Sequence, residues 1–166
     1  MVLTKTMPIL LVLLLAGPVL ASRFANLPED DWSIGPGIAY SNLEGEHGFA
    51  LNLDTAYTSF IFSASANLKL MRHENLTTFL PQLELSAWFL LNMGGGVGYS
   101  FGDLEGPVLH VFVGLPYGDD WLPTGPFDAQ FIEPYYRLNF IHTGGEWLFM
   151  HEVGLMLKVS TYLLDD

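Results

Sequence analysis

Apolar and polar residues alternate through residues 59–70, which read SFIFSASANLKL, with the exception of Ile61. We call every second residue of such a segment a parity. The apolar parity is the even-numbered set from Phe60 to Leu70, and the polar parity is the odd-numbered set from Ser59 to Lys69. A period of two is typical of a β-strand with one apolar and one polar face. The stretch is about as long as a tilted strand that crosses a bilayer, roughly 9–11 residues. The pattern therefore predicts a membrane-spanning strand.

The same period recurs along the chain and predicts eight strands, whereas no segment has a convincing helical period. No glycine or proline separates the second predicted strand from the third, and the turn between them is placed at residues 55–58. The glycine-containing HTGG stretch at residues 142–145 predicts a hairpin turn. The predicted strands lie at residues 32–40, 47–57, 59–70, 79–91, 93–101, 108–115, 129–141 and 146–162.

The longest predicted loop, residues 116–128, contains three prolines and two glycines. With eight strands and both termini in the periplasm, this loop also falls on the periplasmic side. Membrane barrels normally keep their long loops outside. Either this loop is an exception to that rule, or one of the predicted turns is misplaced. The turn at residues 55–58 is then the least certain of them.

Residues 1–21 predict a secretory signal peptide, because Lys5 precedes an apolar core at residues 9–20 that ends in small residues. The predicted cleavage follows Ala21 or Ser22. Proline and glycine leave the apolar run shorter than the roughly 20 residues of a membrane-spanning helix.

Composition narrows the class of protein further. A formal net charge of −12 excludes a protein that wraps nucleic acid. The chain has no cysteine, which excludes a disulfide scaffold. Only 14% of the residues are charged, fewer than is usual for a soluble acidic domain. Residues 22–31 are predicted to be a polar lead-in, and residues 32–164 the barrel domain.

The strand nearest the C-terminus carries a further pattern, Glu152-x-Gly154-x-x-Leu157-x-Val159. With its eight strands, the mature chain resembles the small outer-membrane β-barrels of Gram-negative bacteria, the size class of OmpX and the OmpA barrel domain. In those barrels a polar-x-Gly-x-x-apolar-x-apolar strand is an assembly signal, usually ending on an aromatic residue. This chain departs from the aromatic ending, because it continues through Tyr162 to Asp166.

The resemblance implies an all-β fold, a single closed antiparallel up-and-down transmembrane β-barrel of about eight strands. It also implies a location in the bacterial outer membrane. The implied partners are outer-membrane lipids and lipopolysaccharide, together with the barrel assembly machinery. We expect a monomer, and we expect no cofactor.

The polar parities of the predicted strands contain three acids and three bases. Ionisable groups inside a narrow barrel must pair, because lone charges there are costly. We therefore predict a salt-bridge network that fills the interior, with a gated polar path or a small-molecule pocket as the alternative. The six residues are Lys69, Glu84, Glu133, Arg137, Glu152 and Lys158.

Residues 93–98 are glycine-rich but do not match a dinucleotide-binding loop, because no helix follows them. We predict instead that Gly94, Gly96 and Gly98 leave room inside the barrel for a bulky neighbour such as Trp88.

The five histidines include no HExxH motif and no paired metal spacing, so no metal is predicted. A rim site formed by His47, His73 and His142 with nearby glutamates is an alternative to solvated loop histidines. His110 lies on the inward parity and is predicted to be a hydrogen-bonded filler.

Three functions remain open on the sequence alone. The first is an outer-membrane barrel with a structural, adhesive or envelope-integrity role. The second is a soluble exported barrel that binds an apolar ligand in its interior, as lipocalins do. The third is a lipid-A-modifying barrel enzyme using His142 or His151 with Glu146 or Glu152, although no serine lies nearby in sequence. We expect no catalytic activity. The membrane barrel and the soluble barrel differ in which parity faces the interior, the polar one in the first and the apolar one in the second.

Overall fold

The computed structural model describes residues 31–59, 61–88, 91–115 and 130–160. Eight strands form a closed antiparallel barrel in which sequence neighbours pair and β1 pairs with β8. The predicted all-β, up-and-down class is confirmed. The strands are β1 Asp31–Leu43, β2 Glu46–Ser59, β3 Phe62–His73, β4 Leu76–Trp88, β5 Asn92–Gly102, β6 Gly106–Gly114, β7 Gln130–Thr143 and β8 Glu146–Ser160.

The predicted signal peptide and all of the lead-in except its last residue, Asp31, lie outside the described residues. In the four described ranges, no helix is long and apolar enough to cross a membrane.

The predicted turn at residues 55–58 is wrong. β2 continues to Ser59, and Thr58 pairs with Ser63 of β3 across the sheet. The alternation continues unbroken to the end of β2, so it gives no sign of a boundary. β4 also begins and ends three residues earlier than the predicted 79–91.

The barrel has two distinct ends. We call the end that holds the β1–β2, β3–β4, β5–β6 and β7–β8 connections the turn end, and the opposite end, with both described chain ends, the terminus end. At the β7–β8 connection Gly144 and Gly145 have φ of 59° and 89°, which fits the predicted hairpin. β6 ends at Gly114 and β7 begins at Gln130, so the longest connection joins strands at the terminus end. The predicted count of eight strands is therefore correct. With this count the longest connection lies at the same end of the barrel as both described chain ends.

The pairing of β1 with β8 has one gap. It proceeds from Ile34↔Val159 to Gly37↔Met156 and omits Gly35 and Pro36. A Cβ at Gly35 would lie 1.7 Å from the Leu157 carbonyl oxygen, so the two backbones approach too closely for any side chain there. Proline has no N–H to donate across the sheet.

The polar parity of each strand faces the barrel interior, and the apolar parity faces out. Lys69 and Asn67 are fully buried, whereas Leu83 and Leu85 on β4 are 64% and 70% exposed. This is the reverse of a soluble barrel, in which apolar side chains fill the interior.

The interior is layered along the barrel axis. Toward the turn end it is closed by apolar side chains, which we call the apolar layer. Below this layer the interior is charged. The apolar layer consists of Leu43, Ala50, Met71, Leu80, Val108, Ile141 and Met150.

Candidate functional site: the charged interior

The first group of interior charges is centred on Glu152 of β8. Its carboxylate accepts a hydrogen bond from Lys69 Nζ at 2.5 Å, and neither side chain has any exposed surface. Tyr135 Oη donates to Oε1 of this carboxylate at 2.6 Å, and Asn139 Nδ2 donates at 3.3 Å to Oε2, the oxygen that Lys69 contacts. Asn52 Nδ2 in turn donates to Tyr135 Oη at 2.8 Å. This group links β2, β3, β7 and β8 across the lumen.

The second group is centred on Glu84 of β4. Arg137 Nη2 lies 2.8 Å from Glu84 Oε1, and His110 Nε2 lies 3.4 Å from the same oxygen. Gln82 joins this group to the first, because it accepts from Arg137 Nη1 at 3.2 Å and donates to Asn139 Oδ1 at 3.2 Å. Gln82 Nε2 also lies 3.0 Å from His110 Nδ1, so His110 is a hydrogen-bonded part of the interior.

The third group lies closer to the terminus end. Lys158 Nζ lies 3.1 Å from Asp54 Oδ2 and 3.3 Å from Glu133 Oε2. Asn92 Nδ2 donates to Glu133 Oε1 at 2.7 Å. One ammonium thus bridges two carboxylates from β2 and β7, which is the pairing that buried charges require.

All six residues singled out from the sequence lie inside the barrel, in these three groups. Sequence reasoning missed Asp54 and Tyr135, each of which contacts one of the six. Tyr135 has the same parity as Glu133 and Arg137 on β7, and Asp54 lies on the polar parity of β2, so the parity of each strand could have found them. The interior amides Asn52, Gln82 and Asn139 also lie on the polar parity of their strands, whereas Asn92 lay just outside the predicted fifth strand.

The four residues of the assembly-signal pattern divide between the two faces of β8. Glu152 and Gly154 face inward, and Leu157 and Val159 are on the outward parity. A Cβ at Gly154 would lie 2.7 Å from the Tyr135 ring, so glycine makes room for this tyrosine. Glu152 and Gly154 thus have interior roles, and the assembly role stays a prediction.

A cavity of about 20 Å³ lies among the second and third groups, with Asp54, Glu133 and Lys158 in its lining. This volume accommodates a water molecule but no larger ligand. Two buried atoms of its lining residues, Asn92 Oδ1 and Arg137 Nε, have neither a hydrogen-bond partner nor an ion-pair partner among the described residues. Around this cavity the described interior is filled by side chains.

The glycine-rich face of β5 does point inward, but the neighbour it accommodates is His110. A Cβ at Gly96 would lie 2.7 Å from His110 Cε1 and 2.0 Å from the Leu83 carbonyl oxygen. Trp88 pairs with Asn92 at the end of the strand, beyond the glycines. The bulky neighbour beside Gly96 is therefore His110, whereas the sequence had suggested Trp88.

The three rim histidines do not converge. His73 is buried and contacts Ser41 Oγ at 2.9 Å, while His142 packs on Trp147 with 5.0 Å between ring centroids. His47 faces outward and contacts Tyr40 and Asn42. Across residues 31–59, 61–88, 91–115 and 130–160, no group of three or more His, Asp or Glu side chains is placed to hold a metal ion.

The residues of the lipid-editing alternative do not assemble either. Glu152 faces the interior and pairs with Lys69, whereas the adjacent His151 faces out and contacts Tyr136 Oη at 2.6 Å. The barrel wall separates these two side chains. His142, the other candidate base, packs on Trp147, its partner in the β7–β8 register.

No protein-family model and no curated protein matches this chain. Its fold is similar to the crystal structure of Neisserial surface protein A, with a TM-score of 0.57 and 14% sequence identity. The match covers 77% of this chain and 96% of that chain. At this identity the similarity shows a shared fold. This agrees with the fold that the resemblance to small eight-stranded barrels implied.

Proposed function

We propose that this protein is an outer-membrane β-barrel with a structural, adhesive or envelope-integrity role and a side-chain-filled interior. The apolar outer wall is the observation that carries this proposal. Large apolar side chains are exposed on all eight strands, and the exposed fraction reaches 70% for Leu85 and 65% for Phe49. On the outward parity of the described strands, Arg72 is the one charged residue. Such a surface aggregates in water but suits hydrocarbon.

Aromatic side chains mark both edges of this apolar wall. Trp32 and Tyr57 lie together near the terminus end, with 5.2 Å between ring centroids. Phe140 and Phe149 pair near the turn end, at 5.5 Å. Aromatic girdles at the two interfaces are typical of membrane barrels. Closure of the barrel also satisfies the backbone hydrogen bonds, as lipid requires.

The filled interior favours a structural role over transport. The apolar layer closes the turn end, and the Lys69–Glu152 pair crosses the lumen beneath it. Eight strands leave an interior just wide enough for side chains. We expect the protein to be exported with cleavage of its signal peptide and to be inserted by the barrel assembly machinery. In the membrane we expect a monomer surrounded by lipid and lipopolysaccharide.

The soluble lipocalin-like alternative requires the apolar parity to line the interior. The described strands have the opposite arrangement, with Lys69, Glu84 and Glu152 inside. The lipid-modifying alternative requires a histidine and an acid on the same wall, whereas His142 and His151 lie on the outward parity and Glu146 and Glu152 lie on the inward parity. Neither alternative has an observation in its favour.

Fractionation followed by a detergent gel tests the proposal directly. We expect the mature protein in the outer-membrane fraction, with an unheated band that migrates faster than the boiled band. A closed barrel resists the detergent until it is heated, because its strands hydrogen-bond into a ring without edges. A periplasmic protein without this shift would contradict the proposal.

Placing a charged side chain on the outer wall tests whether lipid or water surrounds this wall, because a charge costs far more free energy in lipid. Leu83→Arg, in the middle of β4, is expected to lower the free energy of unfolding in lipid vesicles by about 2–4 kcal/mol. Thr77→Arg is the matched control, since Thr77 faces out on the same strand next to the turn, where we expect a cost of about 0–1 kcal/mol. Urea unfolding measures both. Equal, small effects would indicate a water-exposed wall.

A further inference from the structure

Six polar side chains interrupt the apolar outer wall near the turn end, and we call them the outer polar patch. The sheet register brings them together. His151 pairs with Asn42, which pairs with His47. The neighbouring outward row crosses Tyr136, Val153, Tyr40, Phe49 and Arg72 in that order, on five adjacent strands. The patch consists of Tyr40, Asn42, His47, Arg72, Tyr136 and His151.

The hydrogen bonds of Asn42 fix the proton position on His47. The Gly45 backbone N–H donates to Asn42 Oδ1 at 3.2 Å, which orients the amide so that its Nδ2 faces His47 Nδ1 at 3.2 Å. An amide NH₂ only donates, so Nδ1 is the acceptor and the proton of the neutral ring is on Nε2. Tyr40 Oη also contacts Nδ1. Nε2–H is therefore a donor without a partner among the described residues.

His151 is held in the same way one strand from Asn42. Tyr136 Oη lies 2.6 Å from His151 Nδ1, so Nε2 is the ring nitrogen without a partner among the described residues. The His151 side chain is exposed. Two imidazole rings of the outer wall thus have Nδ1 already hydrogen-bonded and Nε2 without a partner among the described residues.

Arg72 supplies the positive charge beside these donors. It is exposed on the outward side of β3, and the acids Glu44, Glu46 and Glu74 are exposed at the same end of the barrel. Glu46 is on the inward parity of β2, and Glu44 Oε1 accepts from the Phe149 backbone N–H at 2.9 Å. Donors facing hydrocarbon without a partner are costly. Anionic oxygen atoms are suitable partners for an imidazole N–H and for a guanidinium.

We propose that the outer polar patch binds the phosphate of a phosphorylated membrane lipid in the leaflet at the turn end. This proposal rests on the membrane location proposed above. A lipid fits better than free phosphate because exposed apolar side chains separate the donors. Phe49 and Val153, which are 65% and 58% exposed, lie in the same row and would contact acyl chains.

Native mass spectrometry of the mature protein in detergent tests the site, with bisphosphorylated lipid A and its phosphate-free counterpart as probes. The triple variant His47→Leu/His151→Leu/Arg72→Leu is expected to bind the phosphorylated probe at least about tenfold more weakly than wild type. His47→Gln/His151→Gln/Arg72→Lys keeps a donor near each position and is expected to retain most of the binding. His142→Leu, an outer-wall histidine outside the patch, is the matched control and should bind like wild type. The heat-dependent gel shift checks that each variant folds.

Three results would overturn the lipid site while leaving the proposed function standing. They are equal binding by the triple variant, equal binding of the phosphate-free probe, and full displacement of the probe by excess inorganic phosphate. A wild-type protein that does not enter bilayers would overturn both proposals. Selective loss in the triple variant, with retention in the conservative one, supports the site.

Discussion

Lys69→Met is expected to lower the free energy of unfolding by about 3–5 kcal/mol, because it leaves the buried Glu152 carboxylate without its cation. Lys69 and Glu152 are both fully buried and are 2.5 Å apart. Tyr135 and Asn139 would still donate to the carboxylate, but neither carries a positive charge. Equilibrium unfolding in detergent, followed by the fluorescence of the four tryptophans, measures the loss.

The double variant Lys69→Met/Glu152→Gln is the control for this first prediction. It removes both charges, and we expect it to recover much of the stability that the single variant loses. If the single and double variants are equally unstable, the lost lysine packing would explain the effect, and the ion-pair explanation would be wrong.

Gly96→Val is expected to prevent closure of the barrel and to abolish the faster-migrating gel band. The first added carbon would lie 2.0 Å from the Leu83 carbonyl oxygen on β4 and 2.7 Å from the His110 ring on β6. The carbonyl belongs to a paired backbone and cannot move without separating β4 from β5. Even one misplaced methyl group in a packed interior costs about 1–3 kcal/mol, and valine adds more.

Gly95→Val is the matched control on the same strand. Gly95 has the outward parity, and the nearest side-chain atom to its Cβ would be Val111 Cγ1 at 3.5 Å, although the His110 carbonyl oxygen lies at 2.8 Å. The branched carbons extend away from the interior, so we expect this variant to fold. A Gly96→Val protein that keeps the wild-type gel shift would show that the interior is looser than the structure indicates.

The strands were predictable because alternation is a local property. Eight segments of alternating residues gave eight strands, and the parity of Lys69, Glu84 and Glu152 assigned them to one face of the sheet. Their boundaries were less predictable. Alternation continues past Thr58, and without a glycine or proline it did not reveal where β2 ends.

The pairing between residues could not be predicted, because register depends on which strands meet and at what offset. The sequence placed Lys69 and Glu152 on polar faces but did not show that they touch. It also assigned space beside Gly96 to Trp88, although the register places His110 there. The Tyr136–His151 contact of the outer polar patch was hidden for the same reason.

The apolar layer was missed because it breaks the rule that revealed the strands. Met71 and Leu80 lie on otherwise polar parities, yet both are fully buried inside the barrel. The identity of the inner face was also undetermined, since alternation alone is compatible with either side facing inward. The burial of Lys69 and the exposure of Leu83 decide it.

The connectivity of the barrel has a consequence for folding kinetics. Seven of its eight strand pairings join sequence neighbours, and the β1–β8 pairing alone brings distant parts of the chain together. The entropy of loop closure grows with loop length, so we expect closure of this seam to be the slow step after the hairpins form. The gap at Gly35 and Pro36 removes pairings from this same seam. Until it closes, β1 and β8 present open edges to other unfolded chains, and the closing rate limits the time available for aggregation.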